Sequence, residues 1–93
     1  MKHYGIGRLS VHQSAAYSTT AGTITNAVGA QTYKVRIVCT TDAFVKVGDA
    51  PTAAASDPLF PAGSVEYVTI TPGQKVSALR SSVDGTLHVT EIT

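Results

Sequence analysis

This sequence predicts an all-β domain: a small antiparallel β-sandwich or flattened barrel of about seven or eight short strands, with no substantial helix. Three observations carry the prediction. The stretch Thr32–Val47, TYKVRIVCTTDAFVKV, alternates apolar and polar residues with a period of two, which puts a hydrophobic row on one strand face and charge on the other. Turn chemistry recurs between short apolar runs, with Pro72-Gly73 and Asp84-Gly85 the clearest pairs. Nowhere does an apolar stripe recur at helical spacing.

Taken in order, Met1–Gln13, MKHYGIGRLSVHQ, reads as an extended N-terminal arm on the single domain 1–93. Gly5 and Gly7 weaken a regular strand there, and a terminal segment is ordered only when a sheet edge or a neighbouring subunit ties it down. Ser14–Thr25 is small and polar and reads as a loop, leading into a short strand at Thr23–Val28 that Gly29 ends. Thr32–Val47 follows as a β-hairpin. Tyr33, Val35, Ile37 and Cys39 share one parity, Thr40-Thr41-Asp42 makes the break, and Ala43, Val45 and Val47 resume the row. Branched and aromatic side chains suit such a pleated, half-buried surface.

Gly48–Ser64, GDAPTAAASDPLFPAGS, has three prolines and excludes a central strand. A connection of this length usually carries function or orders on contact. Leu59 and Phe60 stand between Pro58 and Pro61; they either plug an open end of the sandwich or anchor a partner's pocket. Val65–Thr71 is a strand, and Pro72-Gly73 fits the centre of a type II turn. Lys75–Arg80 is the next strand, with Val76 and Ala78 on one face. Asp84-Gly85 signals a tight I′ hairpin, and Thr86–Thr93 closes the chain with Leu87 and Val89 inward and His88 and Thr90 outward.

Composition narrows the function classes. The chain has 93 residues, one domain's worth, and so short a chain buries only about 60–65% of its unfolded surface, which favours association. Charged residues make up 14% against about 25% in typical domains, a depletion shared with interface cores. A net charge of +1, with the seven basic residues spread along the chain, argues against direct nucleic-acid binding; Lys34 and Arg36 alone neutralise too few phosphates. Met1-Lys2 precedes no apolar signal segment, and no run has membrane-spanning length.

No constellation points to catalysis, a cofactor or a metal. Cys39 is the single cysteine, excluding an intrachain disulfide and a cysteine zinc site; its place beside Val35 and Ile37 reads as a small core hydrophobe. His3, His12 and His88 have no His or Cys partner at ligand spacing and read as surface or partner-contact residues. Among the acids Asp42, Asp49, Asp57, Glu66, Asp84 and Glu91, the aspartates read as turn formers, and Asp49 with Asp57 lacks the oxygen density calcium needs. There is no nucleophile elbow around any serine, and Gly5-Ile6-Gly7 lacks the third glycine and helix of a dinucleotide fingerprint.

From Val35 onward the chain resembles small virion proteins of tailed bacteriophages. The matching segments are Val35-Arg36-Ile37-Val38, Ala43-Phe44-Val45-Lys46-Val47-Gly48, Pro51-Thr52-Ala53, Ser56-Asp57 before Leu59, and Pro61-Ala62-Gly63. Glu66-Tyr67, Thr71-Pro72-Gly73-Gln74-Lys75-Val76 and Gly85-Thr86-Leu87-His88-Val89-Thr90-Glu91 continue the match. The resemblance implies a non-enzymatic capsid decoration, or cement, protein that bridges and stabilises major capsid protein subunits. It implies a homo-oligomer, trimer or dimer, made in the host bacterial cytoplasm and carried on the capsid surface, without membrane, nucleic acid or cofactor. The alternatives are a head–tail connector or tail component of the virion, or a host-glycan-binding module resting on an aromatic such as Tyr67. The contact residues expected are Tyr4, Ile6, Arg8 and Leu9 of the arm, with Pro58, Leu59, Phe60 and Pro61 of the long loop.

Overall fold

The computed structural model describes residues 9–92, and among them eight strands form two four-stranded antiparallel sheets. The strands are β1 (Leu9–Tyr17), β2 (Gly22–Thr23), β3 (Lys34–Cys39), β4 (Ala43–Gly48), β5 (Leu59–Phe60), β6 (Val65–Thr69), β7 (Lys75–Arg80) and β8 (Gly85–Ile92). The first sheet runs β1-β8-β3-β6 and the second β2-β7-β4-β5. The described residues hold no helix, and the β-sandwich expected from the alternation is the architecture found.

The expected hairpin at Thr32–Val47 is corrected. β3 and β4 lie in different sheets, so Thr40-Thr41-Asp42 is an arch from one layer to the other and not a hydrogen-bonded turn. The reason lies in the alternation itself. Val35, Ile37 and Cys39 face the interior from β3, and Ala43 and Val45 from β4, all at most 4% exposed. Folding the two rows against each other across the sandwich buries both faces, whereas a flat hairpin would leave them side by side awaiting cover. The edges of β3 are then taken by β8 and β6, and those of β4 by β7 and β5. Tyr33, expected on the same row, precedes β3 and is 63% exposed.

Asp84-Gly85 is likewise a crossover between sheets, since β7 and β8 belong to different layers. Among the described residues Gly63 and Gly73 have positive φ; Gly85 does not, so no I′ turn forms. Pro72-Gly73 does make its turn: Gly73 has φ 90° and the Gln74 N–H donates to the Thr71 carbonyl at 3.1 Å. That turn also changes layer. Of the links between consecutive strands, β4 to β5 alone stays within one sheet.

The N-terminal readings shift too. Leu9–Gln13, assigned to the arm, and Ser14–Tyr17, assigned to a loop, form β1, the edge strand paired with β8 and bulged between Leu9 and His12. The strand expected at Thr23–Val28 shrinks to Gly22–Thr23, although Ile24 and Val28 are buried and their N–H groups donate to the Val76 and Gln74 carbonyls. Gly22 is required by proximity, because a Cβ there would overlap the backbone carbonyl of Ala16.

One end of the interior is closed by Tyr17, 2% exposed. Its hydroxyl donates to the Thr41 carbonyl at 2.7 Å and accepts from the Thr41 N–H at 3.1 Å, pinning the arch to the end of β1. Cys39 lies in this interior, fully buried, as its place on the apolar row suggested. Burial pushes its thiol from 9.0 up to about 11, while the neighbouring Tyr17 hydroxyl works the other way. The folded value lies above the ordinary one, so the stability contributed by the neutral thiol is fully present below pH 9 and is lost as pH rises through 11. Ellman's reagent at pH 8 is therefore expected to leave the native thiol untouched and to titrate one thiol in urea. The urea midpoint of the wild type should also fall more steeply than that of Cys39→Ala between pH 9 and 11, the interval of the shift. Rapid native modification would contradict both.

Candidate contact surface

The two sheets treat their outer faces differently. On the second, the proline-rich segment folds back over β7. Ser77, whose parity is opposite to that of Val76 and Ala78, is fully buried, and its hydroxyl accepts from the Ala53 N–H at 3.0 Å. The Thr23 hydroxyl donates to the Pro51 carbonyl at 3.3 Å, and Val45 N–H reaches the Pro58 carbonyl at 3.0 Å. Asp57 closes a turn here as expected, accepting from the Ala54 N–H at 2.8 Å. The loop is thus ordered by its own domain. Its prolines remove donors that a sheet would have needed, which leaves it free to lie flat across one.

The outer face of the first sheet carries three cross-strand rows. Ser14, His88, Val38 and Val65 make one; His12, Thr90, Arg36 and Tyr67 the next; Ile92, Lys34 and Thr69 the third. Val65 and Tyr67 are 43% and 48% exposed, and Arg36, Val38 and His88 are half-buried, as expected for central strands facing solvent. No carboxylate stands at these register positions; Glu66 and Glu91 point to the opposite side of their strands. Cationic side chains flanked by an aromatic and two valines therefore define this face. The outer edges of β1 and β6 have no strand partner among the described residues.

Of the contact residues expected from sequence, Leu9 sits on the β1 edge, 60% exposed. Tyr4, Ile6 and Arg8 lie outside the described residues. Leu59 and Phe60 divide between the two readings offered for them: Phe60 packs against the interior and plugs it, while Leu59 remains 49% exposed. Pro58 and Pro61 are exposed beside them. The residues missed are Arg36, Val38 and Tyr67 as one surface, and the pairing of His12 with His88, whose rings stack with centroids 5.5 Å apart. Parity placed each on an outer face, but nothing in the order of residues says which strands are neighbours.

Among the acids, Asp42 ties the arch to the segment before β6 by accepting from the Ala62 N–H at 2.7 Å. Asp84 forms an exposed ion pair with Arg80 at 2.8 Å, a type worth little in water. Glu91 is inward and 5% exposed, with its carboxylate accepting from the Gly29 N–H at 3.1 Å and from the Thr32 hydroxyl. That geometry makes Glu91 a structural clamp. No cluster of three or more metal-ligating side chains occurs among the described residues. Comparison with protein families, with curated proteins and with solved structures finds no match for this chain.

Proposed function

We propose that this chain is a non-enzymatic virion structural protein of the capsid-decoration type, which holds major capsid protein subunits together through the outer face of its first sheet. The observation that supports the reading is the asymmetry of the sandwich. One outer face is partly covered by the chain's own loop, with Ser77 buried beneath it and Lys46 exposed beside it, while the other leaves Val65 and Tyr67 exposed next to half-buried Arg36 and Val38. Aromatic and arginine side chains dominate binding energy at protein interfaces, and the lack of carboxylates at the described register positions of this face favours an acidic partner surface. Each contact need only be weak. An oligomer that engages several capsid subunits at once gains avidity through effective concentration, and parting those subunits then requires breaking the contacts together.

The decisive experiment uses particles that carry the protein. Quantitative gel analysis is expected to count hundreds of copies per particle, and re-addition of an Arg36→Glu/Tyr67→Ala variant to stripped particles should recover less than about a tenth of wild-type occupancy, given typical losses at interface hot spots. The variant should keep the wild-type melting temperature, since both side chains face outward. A dozen copies or fewer would replace this reading with a connector at the head–tail junction, and full occupancy by the variant would remove the face from the interface.

A further inference from the structure

The fold brings together two histidines that lie 76 residues apart. His12 opposes Thr90 and His88 opposes Ser14 in the β1–β8 ladder, so the two imidazoles are diagonal neighbours on one face. His88 Nδ1 lies 3.5 Å from His12 Nε2, with the ring planes 20° from parallel. We propose that His12 and His88 form an open bis-imidazole site for a borderline divalent transition ion such as Zn²⁺, Cu²⁺ or Ni²⁺. The inference stands independently of the capsid reading.

Distance is the first argument. An ion about 2.1 Å from each of two nitrogens separated by 3.5 Å would see them at about 113°, close to the tetrahedral angle that zinc adopts. The second argument is the support behind the first ligand. His12 Nδ1 lies 2.8 Å from Thr90 Oγ1, and Thr90 is itself 8% exposed. When Nδ1–H donates to that hydroxyl, the Nε2 lone pair is left facing His88, the arrangement by which a hydrogen bond on one ring nitrogen orients the other toward a metal. The third is chemistry. With imidazole donors and no carboxylate at the surrounding register positions, the site suits zinc, copper and nickel and rejects calcium and magnesium.

Of the charged groups around the pair, Arg36 is the neighbour of Thr90 on β3, and Lys34 stands one row further on. The positive charge of Arg36 weakens a bare cation and favours an anionic group in the open coordination positions. Two protein ligands leave such positions for water or for a carboxylate from a neighbouring molecule.

The test uses the full, untagged chain at pH 7.5 with Zn²⁺ and Ni²⁺ as probes. Isothermal titration should give one ion per chain, and Zn²⁺ should raise the melting temperature, because the site joins two strands only in the folded state. His12→Gln and His88→Gln should each lower the affinity at least tenfold. Because His12 also bonds the Thr90 hydroxyl, each variant's metal-free melting temperature serves as its own reference. Thr90→Val should weaken binding by a smaller factor, through loss of the orienting hydroxyl. His3→Gln should bind as wild type. Imidazole ¹⁵N spectra should show Zn²⁺ shifting both His12 and His88. Absence of binding by wild type, unchanged binding by either glutamine variant, or loss of binding in His3→Gln would each overturn the proposal.

Discussion

Tyr17→Ala is expected to destabilise the protein by about 3–5 kcal/mol, the range for deleting a large buried aromatic. Tyr17→Phe should cost about 1–2 kcal/mol, since it strands a half-buried donor and acceptor on Thr41 while filling the same space. The ring is 2% exposed, and its hydroxyl serves both backbone groups of Thr41. Thr41 passes the connection on, its own hydroxyl donating to the Val83 carbonyl at 3.0 Å. One phenol therefore fastens β1, the β3–β4 arch and the crossover into β8. Gly85 sits so close that a Cβ there would come within 2.6 Å of the Tyr17 hydroxyl. A domain of 93 residues has about 5–14 kcal/mol of stability in total, so the alanine variant would lose a large share of it. Urea denaturation followed by far-UV circular dichroism measures both variants. A Tyr17→Ala midpoint within error of wild type would show that this end of the sandwich is held by something else.

Glu91→Ala should be the next most damaging change, at about 2–4 kcal/mol, because it leaves the Thr32 hydroxyl and the Gly29 N–H without their acceptor. Glu91→Gln keeps an oxygen in the same place and surrenders the charge, which roughly halves the strength of the bonds it accepts. Its cost should be about 1 kcal/mol. The pair of variants separates two roles. If glutamine is tolerated and alanine is not, Glu91 acts as an acceptor that holds the Gly29–Thr32 turn against the sheet. If both fail equally, the charge itself is required. Equal stability of Glu91→Ala and wild type in urea would sink the clamp altogether.

Residue parity was legible in the sequence to a useful depth. Val35, Ile37, Cys39, Ala43, Val45, Leu87 and Val89 were placed inward from their spacing alone, and all are buried. What parity could not supply was partnership. An apolar row states which face a strand buries and is silent on whether the next strand lies beside it or across from it, so the β3–β4 arch read as a hairpin. Asp84-Gly85 misled for a related reason: a turn signal marks a reversal of the chain, and a reversal between layers uses similar residues. Tyr17 was invisible because it lies in a run of small polar residues, SAAYSTT, and its burial comes from closing the end of a two-layer body. Thr90 was read as outward and is, yet it is covered on that side, with His12 and Arg36 its cross-strand neighbours. The basic face was half legible, since Lys34 and Arg36 alternate visibly while Tyr67 and the histidines join them only through the ladder.

The position of β8 has a consequence for how the molecule is made. It follows the other described strands in sequence, yet it sits between β1 and β3 within its sheet. On the ribosome, β1 and β3 must wait for their shared neighbour until β8 has been synthesised. Assembly of this kind is dominated by contacts between distant parts of the chain, which places it among the slow-folding β topologies, in milliseconds to seconds. A nascent chain in which β8 has not yet emerged would hold β1 and β3 apart with no strand between them.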